Sequence, residues 1–264
     1  MTASMSARPG RVITVANQKG GVGKTTTAVN LAACLAAAER TTVLVDLDPQ
    51  GNATTGLGIE KTSEFPTIYH ALIGGESIEP LLKSTAIPTL SVVASDIDLV
   101  GAEIELVNVT ARESRLREIL GPVLGRFDYV IIDCPPSLGL LTLNALTASD
   151  SVLIPLQCEF YALEGLTQLT RTITLVRERL NPGLAIEGIL LTMFDGRTSL
   201  AAQIRDEVHK YFKGQIFETI VPRNIRLTEA PSHGKPIILY DLKSVGAVAY
   251  LEVAREVLNH DHRQ

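Results

Sequence analysis

Short apolar runs rich in valine and isoleucine alternate with longer stretches of helical periodicity along almost the whole chain. The runs at 11–16, 42–46, 90–94, 129–133, 151–155, 186–193 and 236–239 predict strands. The stretches at 25–38, 101–120, 138–147, 163–180, 200–211 and 245–258 predict helices. Strands that are apolar at nearly every position are buried on both faces. The pattern therefore predicts an α/β fold with a mainly parallel, twisted sheet covered by helices on both sides. No Ser/Pro-rich linker, repeat or low-complexity block interrupts the alternation, and 264 residues suit a single large domain. Residues 1–10, with Arg8 as their one charged side chain, read as a mobile tail ahead of a domain spanning 11–264.

In sheets of this kind ligands sit beyond the carboxyl ends of the strands, and the polar motifs of this chain fall at predicted strand ends. After the first run comes Lys19-Gly20-Gly21-Val22-Gly23-Lys24-Thr25-Thr26, a phosphate-binding loop on a strand-to-helix turn, which makes the domain a P-loop NTPase. Glycines let the backbone adopt positive φ and bring N–H groups close to phosphate oxygens, and the helix start adds partial positive charge. Lys24 is expected to reach the β- and γ-phosphates of ATP, and the Thr25 hydroxyl to ligate Mg²⁺. Gly20, Gly21, Val22, Gly23 and Thr26 complete the nucleotide-binding loop.

Two further strand ends are acidic. Val43-Leu44-Val45-Asp46-Leu47-Asp48 closes one run and Tyr129-Val130-Ile131-Ile132-Asp133 another. A carboxylate there can hold Mg²⁺ or orient an attacking water. Asp133 is the expected Mg²⁺-side carboxylate and Asp48 the expected water-positioning group. Asp46 is an alternative member of the metal shell, and spacing alone leaves the two open.

Charge and cysteine content narrow the setting. The net charge is −5 with a pI near 5.6, which argues against a globally basic nucleic-acid binder. From 193 to 243, however, eight Lys/Arg face six Asp/Glu, leaving a local basic bias. Three cysteines at unrelated positions fit a reducing cytosol rather than a disulfide framework. No apolar run approaches the ~20 residues of a membrane span, so a cytoplasmic protein with no membrane partner is expected.

The segments Ala16 to Thr26, Asp46-Leu47-Asp48-Pro49-Gln50-Gly51-Asn52, Asp133-Cys134-Pro135-Pro136-Ser137 and Val221 to Pro236 together resemble the ParA/Soj family of chromosome- and plasmid-partitioning ATPases. The likeness covers nearly the whole chain. The last segment, Val-Pro-Arg-Asn-Ile-Arg-Leu-Thr-Glu-Ala-Pro-Ser-His-Gly-Lys-Pro, has no general nucleotide-binding reason to recur and separates this family from others with the same loop. The resemblance implies an ATP-bound homodimer in which Lys19 reaches across to the partner's phosphates. A cation so placed stabilises charge developing in phosphoryl transfer. It also implies binding of double-stranded DNA without sequence preference, in association with the nucleoid. Hydrolysis would be stimulated by a ParB/Spo0J-type centromere-binding protein. Arg197, Arg226 and Arg223 are the expected DNA contacts, partly by resemblance. The resemblance places the adenine near Pro222 and Asn224, where the Asn224 amide either reads the base edge or braces a turn. Gln157, Glu159 and Glu164 are candidate interface groups.

Other readings are separable. A membrane-cycling relative would need a basic amphipathic end, whereas residues 259–264 are short and polar. A nitrogenase-type iron protein would need cluster thiolates, but Cys34, Cys134 and Cys158 lack ligand spacing. Amide- or carboxylate-ligating ATPases and a non-hydrolysing DNA scaffold share the loop and remain as alternatives.

Overall fold

A computed structural model describes residues 10–62 and 65–261. Seven strands form one sheet: β1 (Arg11–Val15), β2 (Thr42–Asp46), β3 (Leu82–Ser84), β4 (Leu90–Val93), β5 (Tyr129–Asp133), β6 (Ser151–Gln157) and β7 (Ala185–Thr192). Their order is β3-β4-β2-β5-β1-β6-β7, with every pairing parallel except β3 with β4. The helices are α1 (Lys24–Ala37), α2 (Asn52–Gly56), α3 (Ile68–Gly74), α4 (Leu99–Glu105), α5 (Arg115–Leu120), α6 (Leu140–Ala148), α7 (Ala162–Arg179), α8 (Ser199–Tyr211), α9 (Ile225–Glu229), α10 (Ile237–Tyr240) and α11 (Val245–Asp261). The expected α/β architecture is present.

Strand periodicity divides the core in two. Val12, Val43, Val45, Val130, Ile132, Val152 and Ile154 point into the cluster under α3 to α8. Ile13, Val15, Leu44, Ile131 and Leu153 point into the one under α1 and α11. This is the two-residue alternation of a sheet buried on both sides. From Thr27 to Ala36, α1 is buried all round, as its Ala/Leu composition requires of a central helix. It is fixed to α11 by a 3.0 Å hydrogen bond between the Thr27 and Tyr250 hydroxyls.

Several elements differ from the sequence expectation, which also lacked the short helices α2, α3 and α9. The run 236–239 is the start of helix α10, not a strand. Pro236 has no N–H for a ladder, and the Ile237 N–H instead donates to Asn30 Oδ1 on α1 at 2.7 Å. The stretch 101–120 is not one helix. Val109 is extended and Ala111 left-handed at φ 53°, within a run rich in β-branched residues that lowers helix propensity. Buried Asn144 satisfies the break, accepting from the Leu116 N–H and donating to the Arg112 carbonyl. The edge strand β3 was not foreseen, being three residues with no room for a period.

At the amino ends of the strands, a bulge between β6 and β7 leaves Glu187 unpaired in the ladder. Its buried carboxylate receives Arg11, the Ser151 hydroxyl and His260. Gly10, placed in the tail by the sequence, is buried, its N–H bonded to the Leu124 carbonyl. Residues 1–9, the rest of that expected tail, lie outside the described residues.

Candidate functional site

The carboxyl ends of β1, β2, β5, β6 and β7 meet at one edge of the sheet, and the polar groups foreseen in sequence converge there. Asp46 and Asp133 are register partners on β2 and β5, and Val15 is the partner of Asp133 on β1. Both aspartates are fully buried.

The phosphate loop leaves β1 and turns into α1 through two left-handed glycines, Gly21 at φ 74° and Gly23 at φ 86°. A side chain at either would be strained. A methyl group on Gly20 or Gly21 would meet no protein atom within 4 Å, so the loop presents an open face. Two side chains not singled out in sequence brace it. Asn17 donates to the Pro155 carbonyl of β6 at 2.7 Å and accepts from the Lys19 N–H at 3.0 Å. The Thr192 hydroxyl, at the end of β7, donates to the Val22 carbonyl at 2.8 Å. Only strand pairing across the sheet reveals these partners, which are some 140 and 170 residues apart in sequence.

Lys24 is buried, with its ammonium 2.9 Å from the Lys19 carbonyl. Burial lowers its pKa, opposed by the nearby Asp133. The Lys19 ammonium instead leaves the loop and meets Glu159 Oε2 at 2.5 Å, at the end of β6. Exposed Phe160 and Tyr161 follow Glu159, stacked edge to face.

The three aspartates separate by environment. Asp46 is occupied: Oδ2 accepts from the Thr54 N–H and hydroxyl, and Oδ1 from the Asp48 N–H. Burial pushes its carboxyl up to about 6, and the Thr54 hydrogen bonds oppose the rise. Asp48 accepts from the Gln50 N–H through Oδ1, and its carbonyl receives the Ser95 hydroxyl at 2.8 Å. Gly51 then turns at φ 55°, and a methyl group there would come within 2.9 Å of the Ser95 carbonyl oxygen. Asp133 differs from both. Its two oxygens are buried and unpartnered. Burial first, then the charge of Asp46, hold its carboxyl well above the usual range, while Thr25 and Lys24 pull the other way.

An unpartnered buried carboxylate beside a hydroxyl is a donor set of hard oxygens, and it fits a divalent cation such as Mg²⁺. Among the described residues no group of three or more His, Cys, Asp or Glu is placed to enclose a metal. A cation here would therefore be held by Asp133 and Thr25 with phosphate oxygens or water, the usual pattern for Mg²⁺ with nucleotides. The cysteines are all buried and free. Burial pushes Cys34 up to about 12 and Cys158 to about 11, so neither presents a thiolate.

Beside the loop, a cavity of about 280 Å³ is lined by Gly23, Thr26, Met193, Pro222, Asn224 and Tyr250, among others. Pro222 and Asn224 thus share a cavity with Gly23 and Thr26 of the phosphate loop. Asn224 Oδ1 caps α9, accepting from the Arg226 N–H at 2.8 Å, so its carbonyl braces a turn.

The three arginines are exposed but not bare. Arg197 makes a two-pronged pair with Asp195, at 2.8 and 2.6 Å, which holds the Asp195 carboxyl down at about 2. Arg223 also bears on Asp195. Arg226 faces elsewhere, toward Glu229 and Asp241. Arg197 and Arg223 thus both act on Asp195, whereas Arg226 pairs with Glu229 and Asp241.

A family model described as an AAA domain matches residues 10–186. The chain is 62% identical to the chromosome partitioning protein ParA of Myxococcus xanthus, over 97% of this chain and 90% of that protein. It is 58% identical to the sporulation initiation inhibitor protein Soj of Bacillus subtilis, over 94% and 98%. Among solved structures it is similar to one described as cobyrinic acid a,c-diamide synthase from Mycobacterium smegmatis with bound ADP and magnesium. That likeness has a TM-score of 0.84 and 39% identity and covers 96% of each chain.

Proposed function

Because the chain belongs to the ParA/Soj family of partitioning ATPases, we propose that it hydrolyses ATP to ADP and phosphate with Mg²⁺, as an ATP-bound homodimer that segregates DNA. The observation that carries the reading is Asp133: a buried carboxylate with both oxygens unpartnered, next to Thr25 and Lys24 at the mouth of an open phosphate loop. Such an arrangement is costly unless a ligand completes it.

In this reading the backbone of Gly20 to Thr26 cradles the phosphates. Lys24 leaves the Lys19 carbonyl for the β- and γ-phosphates, Thr25 and Asp133 hold Mg²⁺, and Pro222 and Asn224 flank the adenine. Bound Mg²⁺ would neutralise charge on the phosphate oxygens. Asp48, its Oδ1 fixed by the Gln50 N–H, orients the attacking water. Asp46 holds the loop that carries Asp48. Lys19 exchanges Glu159 for the phosphates of a second subunit, which ties turnover to dimerisation. The paired subunits present Arg197, Arg223 and Arg226 twice to double-stranded DNA, giving salt-sensitive, sequence-independent binding. The protein would act in the cytoplasm on nucleoid DNA, with a ParB-type protein stimulating hydrolysis.

The name borne by the 39% identical structure favours a second reading, an amide-forming ATPase. The 62% and 58% identical partitioning relatives outweigh it. Light scattering of Asp48→Ala with ATP, with ADP and then with added DNA tests the proposal. A dimer that needs ATP and then binds DNA is expected. A monomer in all three conditions, with wild-type turnover that ignores DNA, returns the protein to the second reading.

A further inference from the structure

The segment from Ile97 to Val107, with α4 at its centre, carries an exposed apolar strip. Ile97, Val100, Ile104 and Val107 follow one another at helical spacing and are 65%, 52%, 73% and 52% exposed. The opposite side of the same segment, Leu99, Ala102 and Leu106, is fully buried in the core. The helix is therefore apolar on both faces, whereas a surface helix ordinarily turns polar residues outward. The flanks are acidic. Between residues 84 and 111 there is no Lys or Arg, against four acids: Asp96, Asp98, Glu103 and Glu105. The nearest cations are engaged, Lys61 by the Gln50 carbonyl and Arg112 by Glu113 and the Val107 carbonyl.

The strip is also joined to both loops that carry the proposed chemistry. Ser95, two residues before Ile97, donates through its hydroxyl to the carbonyl of Asp48. A hollow lined by Pro49, Gln50, Lys61, Asp96, Ile97 and Asp98 continues from the strip to that loop. On its other side, Glu103 presses its carboxylate against Gly139, where an added methyl group would overlap it, at the end of the loop that follows Asp133. One oxygen of Glu103 is buried there without a partner. Displacement of α4 would therefore be felt at Asp48 through Ser95 and at the Asp133 loop through Glu103.

We propose that the Ile97–Val100–Ile104–Val107 strip is the docking surface for a basic, amphipathic segment of the hydrolysis-stimulating partner. The inference rests on the proposed function and adds to it the place and chemistry of the contact. Apolar side chains of the segment cover the strip, and its Lys/Arg face Asp98 and Glu105.

The test uses the whole protein with ATP, DNA and the ParB-type protein of the same genome. Val100→Asp/Ile104→Asp should keep ATP-driven dimerisation and unstimulated turnover but lose stimulation at least tenfold. Asp98→Lys, a surface change that leaves the core intact, should raise the half-saturating concentration of the ParB-type protein several-fold and flatten its salt dependence. Val100→Ile/Ile104→Val should behave as wild type. Unchanged stimulation in both the double-aspartate and the Asp98→Lys proteins overturns the proposal. So does loss of dimerisation in either, which would assign the strip to a second copy of this chain. If wild-type protein dimerises and turns over yet ignores the ParB-type protein, the partner in the proposed function fails first and the docking surface with it.

Discussion

Lys19 and Glu159, 140 residues apart, form an ion pair within one subunit, with the ammonium turned away from the loop that bears it. The proposed role of Lys19 lies in the other subunit, so the two contacts compete. Both side chains are partly exposed, at 35% and 48%, and pairs of that kind contribute little.

Glu159→Gln should therefore favour ATP-driven dimerisation, by about fivefold at most for each of the two pairs released per dimer. Lys19→Gln should leave ATP affinity near wild type and remove turnover that depends on protein concentration. Sedimentation with ATP and hydrolysis measured across protein concentrations check the two. Equal loss of binding and turnover in Lys19→Gln would return the residue to a local role.

Asp133→Asn should separate stability from activity. The Asp133 carboxyl is fully buried and beside Asp46, so an uncharged amide of the same shape is expected to leave unfolding stability at pH 7 no lower than wild type. Mg²⁺-dependent turnover should fall by at least about a hundredfold, in line with loss of a group that acts on the transition state. Chemical denaturation without nucleotide and a steady-state assay give both numbers.

Asp46 and Asp48 should part company in the same two assays. Asp46→Ala leaves the Thr54 and Asp48 donors unsatisfied in the core, at a cost of about 2–4 kcal/mol in unfolding free energy. Asp48→Ala should cost far less stability and remove hydrolysis while ATP still binds, as titration calorimetry would show. A well-folded, fully active Asp48→Ala protein would move the water-positioning role elsewhere.

The proposed DNA contacts predict an affinity that can be adjusted in both directions. Arg226→Ala should weaken DNA binding and lower the salt slope by about one for each phosphate it no longer neutralises, leaving dimerisation intact. Asp195→Asn removes the partner that holds Arg197 and should tighten binding at moderate salt. Gel shifts across a salt series distinguish these from an unchanged surface.

Much of this was legible in the sequence because it is local. Strand, glycines, Lys24 and Thr25 lie within one turn of chain, and Asp46, Asp48 and Asp133 announce themselves at the ends of apolar runs. The relations that decide roles are not local. Nothing near Asp46 in sequence says that Thr54 saturates it, and nothing near Asp133 says that it is left alone. Asn17 and Thr192 brace the loop through strands that meet only in the sheet. The kink at 109–111 depends on Asn144, on a different helix. An apolar run beginning at Pro236 is ambiguous until Asn30 takes the Ile237 N–H.

The cluster around Glu187 has a practical use. Gly10, Arg11 and His260 border one depression where the strands begin, at the end of the sheet remote from the phosphate loop. A fluorescent reporter attached at Gly10 or His260 is thus anchored at the end of the sheet away from the phosphate loop. Localisation and hydrolysis can then be followed on the same tagged molecule.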